Sequence, residues 1–227
     1  MIKLVIFDLW KTLIPATVDF VHLFSLLKEM KMERHEFIRR YEDAVQKKKY
    51  NTFEELKKDF FDYFKEYDNE LLEQEMYELY NNRFDKIYFY PEVKKTLTKL
   101  KKQGYSLALM SNTESLRQKD LEEKLKLKEY FDFLGYSFEI GAIKPDKRTF
   151  ETVLSHFDVT LDEVIMVGDS IRSDIGGAQS VGIHNCLVER SNIDKKYHPT
   201  IKPEFKITKL DNIFRVLGVL NEKSQCS

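Results

Sequence analysis

Three short, strongly apolar runs punctuate the chain: "IKLVIF" at residues 2–7, "SLALM" at 106–110 and "EVIMVG" at 163–168. None shows the polar–apolar alternation of a half-exposed strand, so their length and hydrophobicity predict strands buried on both faces, the core of a parallel sheet. Between them the period changes. In "EVKKTLTKLKKQG", Val93, Leu97 and Leu100 recur at helical spacing, and Gly104 marks the expected C-terminal stop. Further helices are predicted at about 115–126, 147–157 and 172–181, another strand near "NCLV" at 185–188, and a closing helix in "LDNIFRVLGVL" at 210–220. Strand and helix in alternation read as βαβ units of an α/β protein.

Residues 15–89 follow a different pattern, helical throughout and without a strand-like run. The segment "FEELKKDFFDYFKEY" places Phe53, Leu56, Phe60, Phe64 and Tyr67 on one stripe. An all-helical insert is therefore predicted between the first strand and the helix that leads to the second, either a small bundle or a lid over the active site. Its aromatic residues Phe60, Phe61, Tyr63 and Phe64 read as core, and Lys47, Lys48 and Lys49 as a solvated face.

Length and charge narrow the function classes. A chain of 227 residues can hold one good core with a smaller insert. With 37 basic and 38 acidic residues, the net charge of −1 provides no field for nucleic acid or an anionic membrane. No run approaches the roughly 20 apolar residues needed to span a bilayer, and Asp8 interrupts any signal-like start. Cys186 and Cys226 are too few and too distant for a disulfide framework or zinc knuckle, which fits a reducing cytoplasm. "HEFIR" at 35–39 has Arg39 where a zinc-protease helix needs a second histidine, and no phosphate-cradling glycine fingerprint occurs.

Candidate chemistry sits at the ends of the three strongest runs. Asp8 follows the first, Ser111 and Asn112 the second, and Asp169 the third. Ligands of open parallel sheets bind beyond the carboxyl ends of the strands, so neighbouring strands would gather these side chains in one crevice. Asp169 and Asp174, five residues apart across a strand-to-helix turn, form a hard oxygen pair suited to Mg²⁺, or else a helix cap and a first-turn acid. Lys144 precedes Pro145, which keeps it out of helical geometry and on a loop, where it could supply a positive charge to the crevice.

Together these residues resemble the four motifs of the haloacid dehalogenase superfamily, in order: "DLWKT" from Asp8 to Thr12, Ser111 in "LMSNT", Lys144 in "IKPD", and "GDSIRSD" with Asp169 and Asp174. The resemblance implies a Rossmann-like, doubly wound parallel sheet formed by residues 1–14 and 90–227, with 15–89 as an inserted helical cap. It implies a Mg²⁺-dependent phosphatase of small phosphorylated compounds in which Asp8 is the nucleophile. Asp8, Asp169, Asp174 and the backbone carbonyl of Trp10 would form the metal site, Ser111 and Asn112 would hold the phosphoryl oxygens, and Lys144 would steady nucleophile and phosphate.

Trp10, the sole tryptophan, departs from that pattern. Phosphatases of the family usually carry an Asp there as general acid/base, and an indole cannot replace it. Loss of such a group typically costs about 10² to 10⁴ in rate, roughly 3 to 5 kcal/mol of barrier. A simple alkyl phosphate is then expected to be a poor substrate unless the cap lends an acid, with His22 one candidate. Three alternatives stand beside the phosphatase. One is a 2-haloacid dehalogenase, whose halide leaves unprotonated but which uses no metal and lacks the fourth-motif acidic pair. The others are a feeble phosphate-binding regulatory protein and a phosphonate hydrolase using Lys47, Lys48 or Lys49 as a Schiff base.

Overall fold

A computed structural model describes residues 1–15, 27–67, 70–82, 87–116, 118–190 and 200–225. Among them, six strands form one parallel sheet: β1 (Leu4–Phe7), β2 (Ser106–Ser111), β3 (Phe133–Tyr136), β4 (Val164–Gly168), β5 (His184–Val188) and β6 (Phe205–Ile207). Their order is β3-β2-β1-β4-β5-β6, so the chain builds outward from β1 on one side and then from β4 on the other. This is a doubly wound sheet whose order reverses between β1 and β4, the place where such folds bind ligands.

The strands lack alternation because both faces are covered. Val5 and Phe7 of β1 join one apolar cluster with Val93, Leu97 and Leu100 of α4 (Val93–Lys102) and Ile213, Leu217 and Leu220 of α10 (Ile213–Gln225). Leu4 and Ile6 point the other way, into a cluster with Phe150 and Val153 of α8 (Lys147–Leu154) and Ala178 of α9 (Gly177–Val181). Main-chain pairing fixes the level of the strands: Phe7 stands opposite Leu109 of β2 and Val167 of β4. The tip of β1 is thereby flanked by the tips of both neighbours. At the other end, Lys3 N–H donates to the Glu163 carbonyl at 2.8 Å, and the two side chains form an ion pair at 2.6 Å.

Between β1 and α4 in sequence come α1 (Arg34–Val45), α2 (Phe53–Tyr63) and α3 (Glu70–Asn82), with no strand among the described residues. They share a separate core in which Leu56, Phe60, Phe61 and Phe64 are buried, with Phe53 and Tyr67 packed against it. The aromatic stripe therefore lies where its period put it, while Tyr63 remains 40% exposed. Thr52 caps α2 by accepting the Glu55 N–H at 3.2 Å. Arg190, after β5, donates to the Thr12 carbonyl at 2.8 Å, pairs with Glu92 at 2.8 Å and lies over the Tyr90 ring. Tyr90 N–H in turn donates to the Leu13 carbonyl at 3.0 Å, so the segments leaving β1 and returning to α4 are tied together.

Among the strands and α-helices of the described residues, four short ones went unpredicted: β3, β6, α6 (Leu127–Tyr130) and α7 (Ser137–Ile140). Each spans four residues or fewer, and Phe133 and Leu134 of β3 and Phe205 of β6 are only partly buried, so none produces an apolar run. The helix expected over 115–126 is α5 (Gln118–Leu125). Among the described residues no helix is long and apolar enough to cross a membrane.

Phe60 is 1% exposed and its ring lies tilted against that of Phe64, with centroids 4.5 Å apart. Phe60→Ala should lower stability by about 3–5 kcal/mol, as expected for a buried aromatic, measured by urea denaturation. A loss below about 1 kcal/mol would contradict the packing described.

Candidate active site

The peptide after β1 continues the ladder for one residue, Asp8 N–H donating to the Val167 carbonyl at 3.0 Å. The chain then turns at Lys11, whose φ of +58° is unusual for a residue with a side chain, and closes through Lys11 N–H to the Ile14 carbonyl at 2.6 Å. Asp8 is thus held at the strand tip, 6% exposed. Trp10 is partly buried against the sheet's main core cluster.

On the far side of the β1/β4 boundary, Gly168 ends β4 and the chain enters a π-helical turn, Ile171–Gly176, where a regular helix was predicted. Such wide turns are characteristic of functional sites. This one carries Asp174 back beside the strand tip, where its Oδ2 accepts the Ser170 N–H at 2.9 Å. The approach requires a glycine: a Cβ on Gly168 would lie 2.2 Å from Asp174 Oδ2. Gly177 serves similarly on the next turn, since a Cβ there would meet the Phe150 ring at 2.4 Å and Pro145 Cα at 3.4 Å. The last two close contacts bring α9 against the segment that carries Lys144.

Lys144 is the centre of the arrangement. It is 1% exposed, and its Nζ donates to Asp8 Oδ1 at 2.7 Å, Asp174 Oδ1 at 2.6 Å and the Met110 carbonyl at 2.8 Å. All three ammonium protons are therefore used. Burial pushes the lysine pKa down, but the Asp174 and Asp8 carboxylates outweigh it and the net direction is up. Asp8 is raised to about 6 by desolvation, against the pull of Lys144. Asn112 holds the lysine backbone reciprocally: its Oδ1 accepts Lys144 N–H at 2.8 Å and its Nδ2 donates to the Lys144 carbonyl at 3.3 Å. This use of the Asn112 side chain was missed in the sequence, where the residue was read for its backbone amide; a polar pair 32 positions apart leaves no periodic signal.

Asp8, Asp169 and Asp174 each present an oxygen within 4.8 Å of the others. Lys11 Nζ lies 3.6 Å from Asp169 Oδ2. Three carboxylates face the two ammonium groups paired with them, leaving net negative charge. Asp8 Oδ2 is buried with no hydrogen-bond partner among the described residues. A hard divalent cation fits that donor set and that orphaned oxygen. Ser111, 1% exposed, likewise has an Oγ with no partner among the described residues. Of the residues expected in the crevice, Asp8, Lys144 and Asp174 are joined by hydrogen bonds, Asn112 holds the Lys144 backbone, and Asp169 shares the carboxylate cluster.

Other candidates fall elsewhere. Lys47, Lys48 and Lys49 are exposed, Lys47 paired with Asp43 and Lys48 with Asp59 at 2.8 Å. His156 bonds the Thr152 carbonyl and packs on Phe133, and His184 faces Glu204 at 2.8 Å. His22, His198 and Cys226 lie outside the described residues.

Residues 5–188 match the haloacid dehalogenase-like hydrolase family. The chain belongs to that family. It is 29% identical over 234 residues to a glyceraldehyde 3-phosphate phosphatase of Pyrococcus furiosus, covering 95% of this chain and 93% of the relative. Among solved structures, a haloacid dehalogenase family phosphatase from Thermococcus onnurineus superposes with a TM-score of 0.63 at 25% identity, over 96% of this chain and 98% of that one. A 2-haloacid dehalogenase from Pseudomonas syringae gives 0.66 at 22% identity, over 96% and 99%, a likeness of fold alone. The chain is a hydrolase of this haloacid dehalogenase-like family, with phosphatases among its relatives.

Two outcomes follow from the geometry. Ionisation of a carboxyl held near pH 6 opposes folding, so Asp8's contribution, complete below about pH 4, is lost as pH rises through 6. Metal binding needs the ionised form. The rise in Tm on adding Mg²⁺ should therefore be small at pH 5, reach a plateau above pH 7, and largely vanish in Asp8→Asn. Gly168→Ala should displace Asp174, cost about 1–3 kcal/mol as overpacking does, and abolish the Mg²⁺-dependent rise in Tm. An unchanged Mg²⁺ response in calorimetry would contradict the crowding at Gly168.

Proposed function

We propose that this protein is a Mg²⁺-dependent phosphatase of small phosphorylated compounds, acting in the cytoplasm through an Asp8 nucleophile. The observation that carries this reading is the buried Lys144 bridging Asp8 and Asp174, with Asp169 beside them. The phosphatase named among the relatives supports it.

An anionic nucleophile and an anionic phosphate repel, so phosphoryl transfer is catalysed chiefly by positioning and charge neutralisation. Lys144 orients Asp8 through Oδ1 and leaves Oδ2 without a protein partner among the described residues. Asp8, Asp169, Asp174 and the Trp10 carbonyl would hold Mg²⁺, which when bound supplies the positive charge that lets phosphate enter. Ser111 Oγ, buried without a partner among the described residues, would donate to a phosphoryl oxygen, with the Asn112 backbone amide beside it. Residues 1–14 and 90–227 would form the catalytic core and 15–89 the cap that selects the substrate.

A 2-haloacid dehalogenase would match the non-acidic Trp10, but three clustered carboxylates suit a cation better than a halide site. With Mg²⁺, the protein should release phosphate from acetyl phosphate and an aryl phosphate. Chelator should stop the reaction, and Asp8→Asn should reduce it to background. Halide release from a 2-haloacid without metal, in the same series of assays, would overturn the proposal.

A further inference from the structure

The turn after β1 is closed by main-chain hydrogen bonds. Leu13 N–H and Ile14 N–H both donate to the Leu9 carbonyl, at 2.9 and 3.1 Å, and Lys11 N–H donates to the Ile14 carbonyl at 2.6 Å. Leu9, Leu13 and Ile14 are fully buried, so the chain is fastened to the core on both sides of Lys11. Lys11 itself has a φ of +58°, a backbone conformation that suits glycine and disfavours any side chain. That side chain nevertheless leads back to the site. Its Nζ stands 3.6 Å from Asp169 Oδ2, beyond the tip of β4, and it is 35% exposed against 16% for the aspartate side chain. Lys144 cannot serve Asp169 as well, because its three protons are committed to Asp8, Asp174 and the Met110 carbonyl. A second lysine, on a fixed turn, thus brings positive charge to the third carboxylate.

We propose that Lys11 is a built-in counter-cation whose ammonium competes with the divalent cation for Asp169 and so weakens metal binding. This rests on the Mg²⁺ requirement of the phosphatase reading above. An exposed ion pair contributes little to stability by itself. Its effect falls instead on what else can bind Asp169.

Without metal, Asp8, Asp169 and Asp174 bring oxygens within 4.8 Å of one another, and their repulsion is relieved by Lys144 on one side and Lys11 on the other. With a divalent cation held among the three, Lys11 becomes a like charge beside it. The ammonium must then leave Asp169 or stay and repel, and either way affinity is lost. Lys144 is placed differently, since it is 1% exposed and pairs with Asp8 through Oδ1, leaving Oδ2 to a ligand. Lys11, on a flexible and partly exposed stem, is the lysine that can withdraw. Loading of the site is therefore an exchange of one cation for another.

The test is calorimetric titration of the metal-stripped protein with MgCl₂ in the wild type, Lys11→Gln and Lys11→Arg. Both replacements make the same demand on the backbone as lysine, and only Gln removes the charge. Lys11→Gln should bind Mg²⁺ roughly tenfold more tightly than the wild type, whereas Lys11→Arg should stay within about twofold of it. That advantage should shrink as KCl is raised, because a partly exposed ammonium is screened. Thermal unfolding should show opposite signs: without metal Lys11→Gln should melt below the wild type, yet gain more on adding the same Mg²⁺. A lysine with a merely structural role would lower Tm and leave Mg²⁺ affinity unchanged or weaker. That result, or equal tightening in Lys11→Arg, overturns the assignment of Lys11, while Mg²⁺ binding by the wild type keeps the metal reading. If neither the wild type nor the variants show heat of binding or a rise in Tm with Mg²⁺, both fail.

Discussion

The buried ion pair system of Lys144 with Asp8 and Asp174 is the constraint around which the rest is arranged. Taking three charges out of water costs several kcal/mol per ion unless geometry and hydrogen bonds offset it. Here the offset comes from both carboxylates, the Met110 carbonyl and the Asn112 amide that fixes the lysine backbone. Those groups come from the ends of β1 and β2, the loop before α8 and the π turn after β4. The strand register, the glycine at the end of β4 and the glycine that opens α9 all serve to let these pieces meet.

The same charges bear on the phosphate hydrolysis proposed for this site. A lysine sandwiched between two acids cannot neutralise a third carboxylate and an incoming phosphate as well. In the proposed function a cation would supply that charge, and the oxygen of Asp8 that Lys144 does not take is the one left to receive it. The helical insert touches the loop that follows Ser111 through the Tyr50–Ser115 contact.

Much of this was legible in the sequence. The apolar runs ending on Asp8, Ser111 and Asp169 located the sheet centre, because strands buried on both faces need unbroken hydrophobicity. The four motifs pointed to Asp8, Lys144, Asp169 and Asp174, which the fold brings together. What escaped was information that hydrophobic period does not carry. Edge strands β3 and β6 are too short and too exposed for a run. The π turn differs from a helix by one residue per turn, which no apolar spacing over 172–181 distinguishes.

The two-sided burial of β1 has a further consequence for how the chain tolerates change. Leu4, Val5, Ile6 and Phe7 are all fully enclosed, so sliding this strand by one residue would exchange one greasy set for another with little loss of hydrophobicity. What forbids the slip is polar: Lys3 anchored to Glu163 at one end and Asp8 committed to Lys144 at the other. The carboxylate proposed as nucleophile therefore doubles as an alignment pin, and the strand that presents it is located by the charge at its end more than by the oil along its length.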